Sequence, residues 1–405
     1  MKTTPAVECR CCEKDGVRMQ LSQFGGPSDR EWHLMLTVTD PLLDFESQLR
    51  LLFGAYREAA AREHATPCFM RVFLSDAATQ TCAVEGMLME DRGFAYSVIG
   101  QPPANGTKVA LWVWMLSRAE THALGSGLYE VVSPHARQYW ATGLGDPYGT
   151  SKEQTALILQ QYVMMLIREG LTLRDNCQRT WLYVADIDNQ YAGMVRARND
   201  LFVTQGLTAD SHFIASTGIA GRTALPQSLV TMDALAYGSL AANRIQYLHA
   251  PLWLNRTSEY GVSFERGTAL SLDDRKQVFI SGTASIDNRG DILFPGDVLR
   301  QARRMMANIE ALLAEAGCTA GDIQQAVVYL RDAADFGRVE RFLAECYPRM
   351  PHVVVHAPVC ARDGSSRPSA WPSERNPHHY NWVFPAAACT AGVFFLLLLQ
   401  LKSRA

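Results

Sequence analysis

The chain has 405 residues, 48% of them hydrophobic and 20% charged, with a formal net charge of −3. At about 100–200 residues per domain this is a folded protein of roughly two to four domains, which excludes a disordered chain, a collagen-like fibre and a multi-span membrane protein. The near-balanced charge gives no overall basic field for nucleic acid, although a pocket for a small anion needs only local arginines.

Residues 1–30 read as a loose tail that carries Cys9, Cys11 and Cys12. No second pair at ligand spacing follows this cluster, so no metal is expected. The ten cysteines are irregularly spaced, and no secretory leader pattern precedes Leu21. Both facts read as reduced thiols in a cytoplasmic protein. Over 31–125 the pattern predicts a strand at 35–39, a helix at 45–61, a strand at 71–74 closed by Ser75-Asp76, and a later strand at 108–114. Over 126–235 it predicts a strand at 138–144, a helix from Gln154 to Gly170 and a strand at 180–184 closed by Ala185-Asp186. A helix bearing Val195, Asn199 and Phe202 follows, then a strand at 213–216. A linker at 236–262 holds Tyr247, His249 and Tyr260.

Over 263–362 the same order returns. A strand at 278–287 leads to a helix with Met305, Ile309, Leu312 and Leu313 on one face, stopped by Gly317. A strand at 326–330 is closed by Arg331-Asp332. A helix at 336–347 ends at Pro348, and a strand at 353–355 follows. Gln154 to Gly170 and Gln301 to Gly317 each span 16 positions. The unit is ββαβαβ-like and occurs three times, the first copy being the most degenerate. Each unit lays helices on one face of a small sheet, and three such sheets can cover one another's bare faces around a common axis.

With 281–286 (SGTASI), Gly296-Asp297, Gln301, Asn308-Ile309, Gly317 and 328–332, the last copy resembles the YjgF/RidA (reactive-intermediate deaminase) family. The whole chain, through 179–188, 198–202, 215–219, 260–268 and 281–286, resembles the chorismatases over roughly 35–360. The resemblance implies an α+β fold: three YjgF/RidA-like (chorismate-mutase-like) repeats forming a monomeric single-chain pseudo-trimer, sheets around a central axis and helices outside.

It also implies hydrolysis of the enol-ether side chain of chorismate. Pyruvate and a ring carboxylic acid of hydroxybenzoate or dihydroxycyclohexadienoate type would leave, without a cofactor. A general acid protonates the enol ether and guanidinium groups hold the carboxylates. Arg179, at the start of a predicted strand, is the first candidate for a substrate carboxylate; the alternative is a strand-edge arginine paired with Asp186 or Asp188. Arg266 and Glu265 alternate along an extended segment, so only one of them faces a cleft; an ion pair is the other reading. Gly282, Thr283, Ala284 and Ser285 would let a ligand approach backbone and hydroxyls, or else simply pack tightly. Tyr247 and Tyr260 are further substrate-binding candidates, with packing as the alternative, and His356 reads as structural.

Imine deamination fits less well, because the matching positions near Ser211-His212 and Pro351-His352 offer no arginine. Phosphate loop, dinucleotide fingerprint, zinc motif and nucleophile elbow are all missing. The expected partner is a small anionic, chorismate-like metabolite, with no nucleic acid.

The family pattern calls for one more apolar strand bearing a catalytic glutamate after Cys360. Instead, 363–376 is rich in Ser, Pro and Arg and cannot form a central strand. Read one base out of register with permitted codons, this stretch becomes Trp-Leu-Ile-Glu-Ala-Glu-Arg-Val-Ala-Ile-Arg-Ala-Gln, a strand of the missing type. The expectation is therefore that 363–405 is a frameshifted tail, that repeat 3 lacks its closing strand and acid, and that a sheet edge lies open. Residues 383–401 carry no charge and could span a bilayer, so a membrane anchor is the other reading of the tail.

Overall fold

The computed structural model describes residues 7–26, 29–91, 93–238, 240–359 and 393–402. Polar caps start most of the longer helices. Asp44, Asp76, Thr150 and Asp297 each accept a hydrogen bond from a backbone N–H in the first turn of α1 (Phe45–Glu63), α2 (Ala77–Leu88), α3 (Ser151–Arg168) and, further on, Val298–Glu315. Between the last two lie a single turn, α4 (Leu173–Asn176), and α5 (Ile187–Thr204); Val298–Glu315 is α6, and α7 (Phe336–Cys346) follows. Thr150 forms a reciprocal box with Glu153, whose carboxylate accepts from the Thr150 N–H at 2.8 Å. Thr150→Ala is expected to lower the unfolding free energy by about 1 kcal/mol, read from urea melts.

Sheet one holds β1 (Val7–Lys14), β2 (Val17–Gly26), β3 (Asp29–Val38), β4 (Thr66–Leu74), β5 (Ala95–Gly100) and β6 (Val109–Leu116). Sheet two holds β7 (Glu120–Gly125), β8 (Leu128–Val132), β9 (Arg137–Gly145), β10 (Cys177–Val184), β11 (Ala215–Ala220) and β12 (Val230–Gly238). Sheet three holds β13 (Ile245–Leu248), β14 (Gly267–Ser271), β15 (Arg275–Thr283), β16 (Ile323–Leu330), β17 (His352–His356) and β18 (Val393–Lys402). All three have the strand order first, second, third, sixth, fourth, fifth. The fourth strand pairs parallel with the fifth and antiparallel with the sixth, which closes the sheet. Near-complete burial of β10 and β16 on both faces explains why their later residues, 181–184 and 326–330, read as unbroken apolar runs.

The three-repeat expectation is borne out, and four of its details are corrected. The supposed tail at 1–30 includes β1 and β2, which extend sheet one through the β2–β3 ladder and set Cys9, Cys11 and Cys12 in a strand. The predicted strand at 108–114 is the closing strand β6; the strand that directly follows α2 is β5. Repeat 2 begins at β7, before residue 126, and the linker contains β13, the edge of sheet three.

The fourth correction concerns the closing strand of repeat 3. It is supplied by β18, paired with β15 on one side and β16 on the other, so the sheet is not open there. A proline-free run without charge before Lys402 suits a doubly paired strand. The described part of the suspected anchor is thus strand, and no described helix is long and apolar enough to cross a membrane. Residues 360–392, including the proline-rich stretch, lie outside the described residues.

The bare sheet faces meet on the axis in an aromatic column. Phe69 stacks on Trp140 at 4.2 Å, and Trp140 lies parallel to Trp181 at 6.0 Å, one ring from repeat 1 and two from repeat 2. Loops then lace the repeats at one end: Gly100 N–H to Arg222 O at 2.7 Å, Ala220 N–H to Pro358 O at 3.0 Å, and His356 N–H to Pro102 O at 2.7 Å.

Repeats 3 and 1 are also joined by Glu340, bonded to Arg18 at 2.7 Å and to His352 at 3.0 Å. Burial alone would raise the Glu340 carboxyl, but His352 and Arg18 hold it down at about 2, against an ordinary 4.5. This carboxylate stabilises the fold fully above pH 4.5, and the contribution is lost as pH falls towards 2. Glu340→Gln is expected to flatten the acid side of the stability–pH profile over that window, measured by thermal melts.

Candidate functional site

The cleft between repeats 2 and 3 is formed where β10 and β11 of sheet two meet β15 of sheet three. Arg179, near the start of β10, is fully buried. Its Nη1 donates to Thr180 O at 2.9 Å and its Nη2 donates to Thr217 Oγ1. Thr217 Oγ1 also accepts from Gly282 N–H at 3.1 Å, so one hydroxyl connects the arginine to the glycine of β15. Ser281 fastens the same seam, accepting from Ser216 N–H at 2.9 Å and donating to Glu265 O at 2.5 Å.

Arg179 does not pair with Asp186 or Asp188. Among the described residues no carboxylate lies within ion-pair distance of it, and its Nε has no hydrogen-bond partner. Trp181 covers the guanidinium at 4.8 Å. Burial lowers the Arg179 pKa to about 9, with the neighbouring Arg71 adding to the shift, so the group is still charged at neutral pH. A buried guanidinium without a counter-charge is costly, and a carboxylate ligand would remove that cost.

Glu265 and Arg266 take different partners, but both line one small pocket, against the expectation that only one would face a cleft. Glu265 accepts from Phe213 N–H at 2.8 Å and lies 3.3 Å from His249 Nδ1. Tyr247 stacks on His212 at 4.5 Å beside this pair, and burial, then Glu265, pushes its phenol upward. Arg266 donates to Asn255 through both Nε and Nη2. A small pocket joins Phe213, His249, Asn255, Phe264, Glu265 and Arg266.

Of the sequence candidates, Arg179 and Gly282 come together through Thr217, and Thr283 donates to Ser281 O of its own strand at 3.0 Å. Tyr247 and Arg266 lie further along the same seam. Ala284 and Ser285 turn towards their own repeat, Ala284 O accepting from Asn308 and Ser285 donating to Leu293 O. Tyr260 ends the short turn Thr257–Tyr260. The His356 ring donates through Nε2 to Arg331 O at 3.1 Å, as a structural residue would. Sequence reading missed Thr217 and Ser216; the available signal was the small hydroxyl run within β11.

A cavity of about 460 Å³ lies elsewhere, at the laced end of the axis, lined by Asp76, Asp186, Arg222 and His356 among others. It contains none of the candidate substrate-binding residues.

Three copies of one six-stranded unit, meeting through their bare sheet faces, define the fold class: a YjgF/RidA-like pseudo-trimer in a single chain. Solved structures agree and go one step further. The crystal structure of a chorismatase superposes with a TM-score of 0.58 at 17% identity, covering 82% of this chain and 93% of that one. The fold is therefore the chorismatase fold. Residues 269–362 match the family model described as Endoribonuclease L-PSP. Curated relatives match in part. A RutC family protein of Pyrococcus abyssi is 33% identical over 70 residues, 17% of this chain and 55% of that protein. The 3-aminoacrylate deaminase RutC of Acinetobacter baylyi is 29% identical over 93 residues, 23% of this chain and 71% of that protein. The chain thus spans only a little over half the length of the Pyrococcus relative.

Proposed function

We propose that the cleft between repeats 2 and 3 binds a small carboxylate metabolite and that the parent activity is chorismatase-like hydrolysis of the enol-ether side chain of chorismate. The observation that carries this reading is Arg179, fully buried and facing no carboxylate among the described residues. It would bind one ligand carboxylate. Gly282 N–H and Thr217 would line the approach, and Arg266 and Tyr247 would contact the far end. An acid then delivers a proton to the enol-ether carbon, water adds to the resulting cation, and the hemiketal collapses to pyruvate and a ring alcohol that keeps its carboxylate. This chemistry needs no cofactor.

The sequence of β18, VFFLLLLQLK, contains no acid. A non-catalytic, metabolite-binding role is the second reading for the chain in its present form, and that absence favours it. Pyruvate release from chorismate, followed with a coupled dehydrogenase, tests the hydrolase reading; calorimetric titration with chorismate tests binding alone. A folded protein that does neither would end both readings.

A further inference from the structure

The cleft between repeats 1 and 2 contains the same chemistry with one difference. Arg71 of β4 is fully buried, as Arg179 is, and it reaches across the repeat boundary. Its Nη2 donates to Asp233 Oδ2 at 2.8 Å. Asp233 sits in the middle of β12, the closing strand of repeat 2, and is itself fully buried. Its Oδ1 accepts from Gly143 N–H at 2.9 Å. Gly143 belongs to β9, which occupies the place in repeat 2 that β15 occupies in repeat 3. The Asp233 carboxylate is thus held by one guanidinium and one glycine N–H.

The guanidinium offers more than Asp233 uses. Among the described residues, Arg71 Nε and Nη1 have no hydrogen-bond partner, and neither has the buried Tyr183 hydroxyl, whose ring lies 5.5 Å from the guanidinium carbon. Trp181, Phe69 and Trp112 wall the group at 4.6, 5.0 and 5.2 Å. A cation enclosed by aromatic faces, with spare donors and a backbone N–H aimed at one carboxylate, is arranged as a carboxylate receptor.

We propose that Asp233 is an internal ligand: the cleft between repeats 1 and 2 is a carboxylate-binding site that the chain fills with its own side chain. Cutting Asp233 back to alanine removes a group of the size and charge of formate, and it leaves Arg71 charged and exposed to whatever small carboxylate diffuses in. The site stands on Arg71, Asp233 and Gly143, independently of any ligand at Arg179.

The test is chemical rescue. Asp233→Ala should melt below the parent protein. Its melting temperature should climb with formate up to about 100 mM at constant ionic strength, as saturable binding to the native state requires. The parent protein should not respond, and the double variant R71M/D233A should lose the response. Arg179→Met combined with Asp233→Ala should keep it, which separates this site from the one between repeats 2 and 3. Asp233→Ser, which retains an acceptor for Gly143, reads the same effect if the alanine variant does not accumulate. A formate response equal in the parent protein and in Asp233→Ala overturns the proposal, as does one that survives Arg71→Met. Failure of both single variants to fold with formate present overturns it too, because an internal ligand must be replaceable by a diffusible one.

Discussion

Arg179→Met is expected to weaken binding of a chorismate-like carboxylate while leaving the ligand-free protein as stable as before, or more so. The two effects have opposite signs for one physical reason. In the free protein the guanidinium is buried against Trp181 with no carboxylate partner among the described residues, and burial, which disfavours the charge, lowers its pKa to about 9. An apolar side chain of similar length removes the buried charge, and exchanges of buried charge for apolar volume are often neutral or stabilising. With ligand present, the same change removes a charge-assisted hydrogen bond of about 1.5–3 kcal/mol, which is roughly 10- to 100-fold in affinity. Calorimetry with chorismate and a thermal melt without it read the two effects separately. A stability loss with unchanged affinity would make Arg179 an ordinary structural residue, and the cleft would lose its main argument.

The repeat was legible in the sequence because its signals are local. Asp76, Asp186 and Asp332 each end a buried apolar strand, and the glycines at 170 and 317 stop helices at matching distances. Both features follow from rules that act within a few residues. The outer hairpins were less legible. Strands β1 and β7 are exposed along nearly their whole length, so no buried face marks them in the sequence, and they are held by pairing with β2 and β8.

The site was half legible. Arg179 and Gly282 were expected at one cleft, and Thr217 joins them. That Arg179 has no acidic partner among the described residues could not be read from the chain, because Asp186 and Asp188 lie close in sequence. Asp186 bonds instead to Asn189, and Asp188 turns to Arg331 of repeat 3, across a repeat boundary. Arg71 went unnoticed for the opposite reason. It stands inside an apolar run, and its partner Asp233 lies 162 positions away.

Replacing 363–405 by the thirteen-residue sequence of the shifted frame is expected to give a chain that releases pyruvate from chorismate faster than the present one. The geometry of repeat 2 supports this. Its closing strand β12 carries Asp233 to a glycine N–H of β9 and to an arginine of the preceding repeat. A closing strand in sheet three runs beside β15 in the same manner, with Phe395 opposite Thr283 and Leu397 opposite Ile280 in the present chain. A glutamate near that register would face the cleft of Arg179 and Gly282 as Asp233 faces the cleft of Arg71 and Gly143. The links agree as well. Residues 101–108 and 221–229 join the fifth strand to the closing strand in repeats 1 and 2, whereas 357–392 separate them in repeat 3. Restoring a short link removes loop-closure entropy, so the replaced chain should also melt higher. Exchanging each of the two new glutamates for glutamine should identify the acid by a loss of about 100- to 10,000-fold in kcat, with the carboxylate affinity retained. A folded, chorismate-binding protein that still releases no pyruvate would overturn the hydrolase reading and leave the cleft as a binding site alone.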